Sequence, residues 1–251
     1  MAEVHHRLDG PEDAPVIVLS NSLGTELEMW DRQLPALDGF RVLRYDSRGH
    51  GRSPVPDGPY SMADLGGDVV ELLDRLEIER ASFCGISIGG MVGLWLGVNA
   101  PARIDRLALC CTAAQVLSEK DWAERAATVR EHGVAALADT TIDRWFSPEF
   151  QEAEPEAVSS VRDTLVGTPA EGYASSAEAI GGHDVREQLG AITAPTLVIT
   201  AADDPSIPPE HGELIAERVE DARLEALPHG RHLCNIERPE EFNRALLSHL
   251  G

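Results

Sequence analysis

The chain has 251 residues, 43% hydrophobic and 25% charged, a balance that suits a folded α/β domain with a sizeable core. Its 43 acidic residues outnumber 21 basic ones and leave a formal charge of −22, which argues against nucleic acid or anionic membranes as partners, since both demand basic patches. The opening MAEVHHRLDGPEDAP has no apolar signal-peptide core, and the longest apolar run, Met91–Val98, is too short and glycine-rich to span a bilayer, so a cytoplasmic protein is expected.

In chain order, the first apolar run is APVIVLSNS (14–22), followed by FRVLRYDSRGHGRS (40–53). Continuous Val/Ile/Leu runs of this length suit strands buried on both faces, as in a parallel sheet. SMADLGGDVVELLDRLEI then places Leu65, Val69, Leu72, Leu73 and Leu76 on one helical face, and Ser61 with Asp64 resembles a capping box. A third strand, ASFCGIS (81–87), leads into the helical GMVGLWLGV, and IDRLALCC (104–111) reads as a fourth.

Residues 115–190 break this rhythm. They are rich in Ala, Glu, Asp and Arg and contain no Val/Ile-rich strand run, so a helical cap inserted between two strands is expected. The strand APTLVITAADD (194–204) resumes the pattern, with helices at 209–220 and 238–250. The expected fold is therefore a mostly parallel, doubly wound α/β sheet with core segments 1–114 and 191–251. Cys84, Cys110, Cys111 and Cys234 have no metal-ligand spacing and read as buried free thiols; no metal is expected.

Gly85-Ile86-Ser87-Ile88-Gly89 matches G-x-S-x-G between a strand and a helix, a context that presents Ser87 as a nucleophile above the sheet. A serine hydroxyl needs a base to take its proton, and in this architecture an acid and then a histidine follow the serine in the chain. LVITAADDP offers Asp203 and Asp204, and LPHGRHLCNIERPEEF offers His229 and His232. Asp204, just before Pro205 and the SIPP turn, and His232, on the loop before the final helix, are preferred over their neighbours. An oxyanion hole would take the backbone N–H of Ile88, at the helix start, and that of Leu23 in the early loop Ser20-Asn21-Ser22-Leu23-Gly24.

The segments LSNSLGTELEMWDRQLPAL, YDSRGHGRS, GISIGGMVGLWLG, DRWFSPEF, EGYASSAEAI and HLCNIERPEEF together span nearly the whole chain. Through them the sequence resembles the α/β-hydrolases, and closely the 3-oxoadipate enol-lactonases of bacterial aromatic catabolism. Asn21-Ser22 departs from the His-Gly pair that many hydrolases carry there. The resemblance implies a small-molecule lactone substrate, hydrolysed to 3-oxoadipate in the β-ketoadipate pathway, without metal or organic cofactor. DSRGHGRS, with Asp46, Arg48 and His50, reads as a structural loop. Arg144 would compensate the substrate's carboxylate or else lie on the surface; Trp145 and Ser22 are further candidates for substrate contact. Another cap-bearing carboxylesterase or a cofactor-free perhydrolase is the alternative enzyme, and a ligand sensor with vestigial turnover the alternative outside enzymes.

Overall fold

The computed structural model describes residues 3–116 and 118–251. Strands β1 (His6–Asp9), β2 (Val16–Ser20), β3 (Arg41–Tyr45), β4 (Ala81–Ile86), β5 (Ile104–Cys110), β6 (Thr196–Ala201) and β7 (Ala222–Leu227) form one sheet in the order β1-β3-β2-β4-β5-β6-β7. Every neighbouring pair runs parallel except β1 with β3, where His6 lies opposite Tyr45. The inner strands β4 and β6 are buried at every position, as suits their largely apolar runs, in which only Ser82, Thr196 and Thr200 are polar. By contrast β1, with the sequence HRLD, alternates between half-buried and exposed residues at the sheet edge.

Helix α1 (Met62–Arg75) starts at Ser61, whose hydroxyl accepts the Asp64 N–H at 3.2 Å while the Asp64 carboxylate accepts the Ser61 N–H at 2.9 Å. Both donors would otherwise be left unpaired at the helix start. Helix α2 (Ile88–Asn99) is apolar around its circumference, because it packs on β4, β5 and α1 at once. Its Trp95 is only partly buried and presses on α1 at Gly66, where a Cβ would come within 2.0 Å of the indole. The four cysteines are free and buried. Hydrogen bonding to Cys234 and burial push the Cys111 thiol up, and burial does the same for Cys110, which keeps both protonated and inert.

Between β5 and β6 the chain leaves the sheet, and its described residues form five α-helices there: α3 (Glu119–His132), α4 (Ala138–Trp145), α5 (Pro148–Ala153), α6 (Pro155–Gly167) and α7 (Ala170–Gly181). Helix α3 lies along α7, with Arg130 held by Glu171 at 2.9 Å and Glu178 at 2.6 Å. The excursion closes at a narrow neck where Gln115 bridges Asp184 and the Val185 N–H donates to the Ala114 carbonyl at 2.9 Å. Residues Arg186–Ala191 then form a short helical turn against α2. Helices α8 (Pro209–Arg218), α9 (Cys234–Glu237) and α10 (Pro239–Leu250) complete the fold. Among the described residues, no helix is long and apolar enough to cross a membrane.

The neck also buries His183, whose Nε2 has no partner among the described residues. Burial pushes its pKa down to about 4. The folded value thus lies below the unfolded value of about 6.5, the unfolded chain binds more protons, and stability falls as pH drops through this window. From this group alone, the unfolding free energy measured by urea titration is expected to fall by about 2 kcal/mol between pH 7 and pH 5. The fall should shrink in His183→Asn; an unchanged pH slope in that variant would locate the effect elsewhere.

Candidate active site

Strand β4 passes into α2 through Ser87, which sits at φ 59° and ψ −120°, a conformation that L-residues rarely adopt. Such strain costs of order 1–3 kcal/mol and persists only when the surroundings enforce it. Here the Ser87 N–H donates to Cys110 O at 2.9 Å, while its carbonyl accepts the Thr112 hydroxyl at 2.7 Å and the Met91 N–H at 3.1 Å. The flanking glycines are required by close approach. A Cβ at Gly85 would lie 2.2 Å from the Gly89 carbonyl, and one at Gly89 would lie 2.3 Å from the Ser20 carbonyl.

Beyond β6, the chain turns tightly at Asp204. One carboxylate oxygen accepts the backbone N–H groups of Ser206 at 2.8 Å and Ile207 at 3.1 Å. The other lies 2.8 Å from Nδ1 of His232, so the ring donates from Nδ1 and keeps Nε2 as its basic nitrogen. Both side chains are buried, at 4% and 3% exposure, whereas Asp203 and His229 are exposed. The structure therefore pairs Asp204 with His232 and leaves the two neighbours in solvent. Asp203 has a backbone role, its N–H donating to Gly230 O at 3.2 Å and tying the two loops together.

The loop after β2 is held from several sides. Asn21 donates to Tyr45 O at 2.8 Å and accepts the Trp30 indole N–H at 3.0 Å. The N–H of Ser22 meets Met29 Sδ, that of Thr25 donates to Ser22 O, and that of Gly24 donates to Nε2 of His50 at 3.0 Å. The Leu23 N–H has no partner among the described residues, and Leu23 and Ser22 both line the cavity. Ile88 is the first residue of α2, where helix geometry leaves its N–H unpaired.

The segment DSRGHGRS is the clamp behind this loop. His50 accepts from Gly24 while its Nδ1 donates to Arg48 O at 3.2 Å, a pattern that needs the neutral ring, and burial lowers its pKa accordingly. Asp46 accepts the Leu27 N–H at 2.8 Å, and Arg48 forms a buried pair with Asp68 at 2.6 Å.

Ser22, Leu23, Ser87 and His232 open onto one cavity of about 460 Å³. Its other side comes from the helical excursion: Trp122 and Arg125 of α3, Thr141, Arg144 and Trp145 of α4, and Tyr173 of α7. Trp145 is buried and also packs the cavity wall, whereas Arg144 is exposed. No carboxylate pairs with Arg144 among the described residues. Sequence reasoning missed Arg125 and Tyr173, which meet only when α3 packs on α7. It also missed Glu237, a buried carboxylate that accepts the Ser147 hydroxyl and the Arg231 N–H at 2.7 Å, fastening the histidine loop to the start of α5.

The family model for the alpha/beta hydrolase fold matches residues 15–239. The chain belongs to the α/β-hydrolase family. Among curated relatives of this hydrolase, 3-oxoadipate enol-lactonase 2 of Acinetobacter baylyi is 43% identical over 94% of this chain and 89% of its own length. The enol-lactonase of Burkholderia xenovorans LB400 superposes with a TM-score of 0.97 at 45% identity, over 99% of this chain and 96% of that one. A thermophilic esterase from Thermogutta terrifontis has a TM-score of 0.94 at 27% identity, over 99% and 93% of the two chains.

Proposed function

We propose that this hydrolase opens 3-oxoadipate enol-lactone to 3-oxoadipate in the cytoplasmic catabolism of aromatic compounds, with Ser87, His232 and Asp204 as its catalytic triad. The observation that carries the chemistry is one cavity onto which the strained serine, the Asp204-oriented histidine and the unpaired Leu23 N–H all open. Support for the substrate comes from the similarity to enol-lactonases over nearly the full chain.

His232 Nε2 takes the Ser87 proton as Oγ attacks the lactone carbonyl. The Leu23 and Ile88 N–H groups hold the oxyanion of the tetrahedral intermediate, each worth roughly 3–4 kcal/mol of barrier. Collapse breaks the ring C–O bond and expels an enol oxygen, a good leaving group that takes up the proton held by His232 and tautomerises to the ketone, leaving the imidazole neutral. Water, deprotonated by His232, then releases the acyl group from Ser87. Asp204 stabilises the imidazolium in both halves.

Residues 115–190 act as the cap that closes the cavity over the sheet's carboxyl ends and shapes it for a small substrate, while Ser22 and Trp145 contact the lactone. The substrate is anionic and the protein strongly so, which makes a local cation necessary. Two arginines, Arg125 and Arg144, line the cavity.

Steady-state hydrolysis of the enol-lactone, measured beside a panel of simple esters, tests the assignment. A kcat/KM for the lactone well above that for every ester is expected. The reverse ranking would make the protein a general carboxylesterase.

A further inference from the structure

Resting on the reading of the substrate as an anionic lactone, we propose that Arg125 is the residue that receives its carboxylate and sets the preference for carboxylated substrates. Arg144 remains a rim cation that contributes little to this choice. The two arginines line the same cavity but differ in how they are held.

The Arg125 guanidinium is already oriented before any ligand arrives. Its Nε donates to the Tyr173 hydroxyl at 2.9 Å, and Nη2 donates to the Thr141 hydroxyl at 3.0 Å. It lies 5.7 Å from the Trp122 ring centroid and 5.5 Å from that of Tyr173. These neighbours are neutral, so they fix the cation without neutralising it. Nη1 has no hydrogen-bond partner among the described residues.

Apart from the exposed Arg144, the other arginines of the helical excursion and its neck are matched by carboxylates: Arg130 by Glu171 and Glu178, Arg162 by Asp139, and Arg186 by Asp184. Asp121 lines the cavity four residues before Arg125 on α3, yet makes no ion pair with it among the described residues. In a chain with 43 acidic and 21 basic residues, an arginine held by hydroxyls and aromatic rings is one whose carboxylate is to come from outside. Nη2 also donates to the Tyr173 hydroxyl at 2.5 Å, so the donors left for a carboxylate are those of Nη1, and with the guanidinium already immobilised, binding costs little further entropy. Arg144 is exposed and has no such anchors, so it would have to be ordered by the ligand itself.

The test compares kcat/KM for the enol-lactone with that for 5-methyl-3H-furan-2-one, which has the same ring and no carboxylate. Arg125→Gln is expected to lower the ratio of the two by about 50-fold, mainly through KM for the acid, with partial recovery in Arg125→Lys. Arg144→Gln should lower it by no more than about threefold. A second arm measures adipate, a dicarboxylate resembling the product, as an inhibitor of p-nitrophenyl acetate hydrolysis. Arg125→Gln should raise its inhibition constant in parallel.

If Arg125→Gln leaves both the ratio and adipate inhibition nearly unchanged, or if Arg144→Gln causes the larger loss, the inference fails while the lactonase reading stands. If the parent enzyme shows no preference for the carboxylated lactone, the lactonase reading fails, and the adipate arm still decides whether Arg125 binds carboxylates. Should Arg125→Gln misfold by circular dichroism, Arg125→Lys and Tyr173→Phe carry the test. Tyr173→Phe removes the hydroxyl to which both Nε and Nη2 donate and is expected to raise KM for the acid several-fold with kcat held.

Discussion

Ser87→Ala is expected to lower kcat for lactone hydrolysis by roughly 10⁶-fold while leaving the melting temperature near that of the parent. The two halves of this result have separate causes. Alanine keeps the Cβ, so the positive-φ backbone at residue 87 stays as strained as before, and only the nucleophilic oxygen is lost. Ser87→Gly removes the oxygen and the strain together. It should be equally inactive yet more stable, by about 1–2 kcal/mol once the extra freedom of glycine in the unfolded chain is subtracted. Calorimetry on the three proteins would show this as a rise of about 2–4 °C per kcal/mol for a chain of this size. Residual Ser87→Ala turnover above roughly one thousandth of the parent's would place the nucleophile elsewhere.

The second large effect is at the acid. Asp204→Asn should reduce kcat by roughly 10⁴-fold with the fold intact, since an asparagine carbonyl can still accept from Ser206 and Ile207. The cost arises at the other end of the side chain. An amide nitrogen facing His232 Nδ1 forces that nitrogen to accept, which moves the ring proton to Nε2 and leaves nothing to deprotonate Ser87. Asp203→Asn should retain near-normal rates, because that side chain is exposed and only its backbone bonds to Gly230. An inactive Asp203→Asn beside an active Asp204→Asn would exchange the two roles.

Much of the fold is legible in the sequence, for reasons that vary by residue. The parallel strands announce themselves because a strand buried on both faces must be largely apolar, as β4 and β6 are. Ser61 and Asp64 are three residues apart and signal the start of α1 locally. Ser87 is legible because its two glycines are demanded by backbone approach rather than by side-chain fashion. Strand β1 is harder, since four mostly polar residues at a sheet edge carry too little pattern to stand out.

Of the cavity wall, Ser22, Arg144 and Trp145 are named from the sequence and do line it, whereas Arg125 and Tyr173 escape such a reading. Arg144 attracts attention by adjoining Trp145, but consecutive helical residues face different directions, and here one is buried and the other exposed. Arg125 has its partners 16 and 48 residues away, at Thr141 and Tyr173. No spacing rule within α3 points to either. Such contacts exist only once helices from separate stretches pack together.

The attachment of the histidine loop to the helical excursion bears on how this enzyme could be re-engineered. The Leu233 N–H donates to Trp145 O at 3.2 Å, Arg231 reaches the Asp143 carbonyl, and Glu237 grips Ser147. Residues 231–237 are thus stitched to α4 and α5 although they follow β7 in the chain. Transplanting α3–α7 from another hydrolase to change specificity would tear these stitches and leave His232 misplaced. A chimaera that carries the donor's 231–237 along with its α3–α7 keeps them, so the practical module for exchange is discontinuous: two segments that are far apart in the gene and inseparable in the protein.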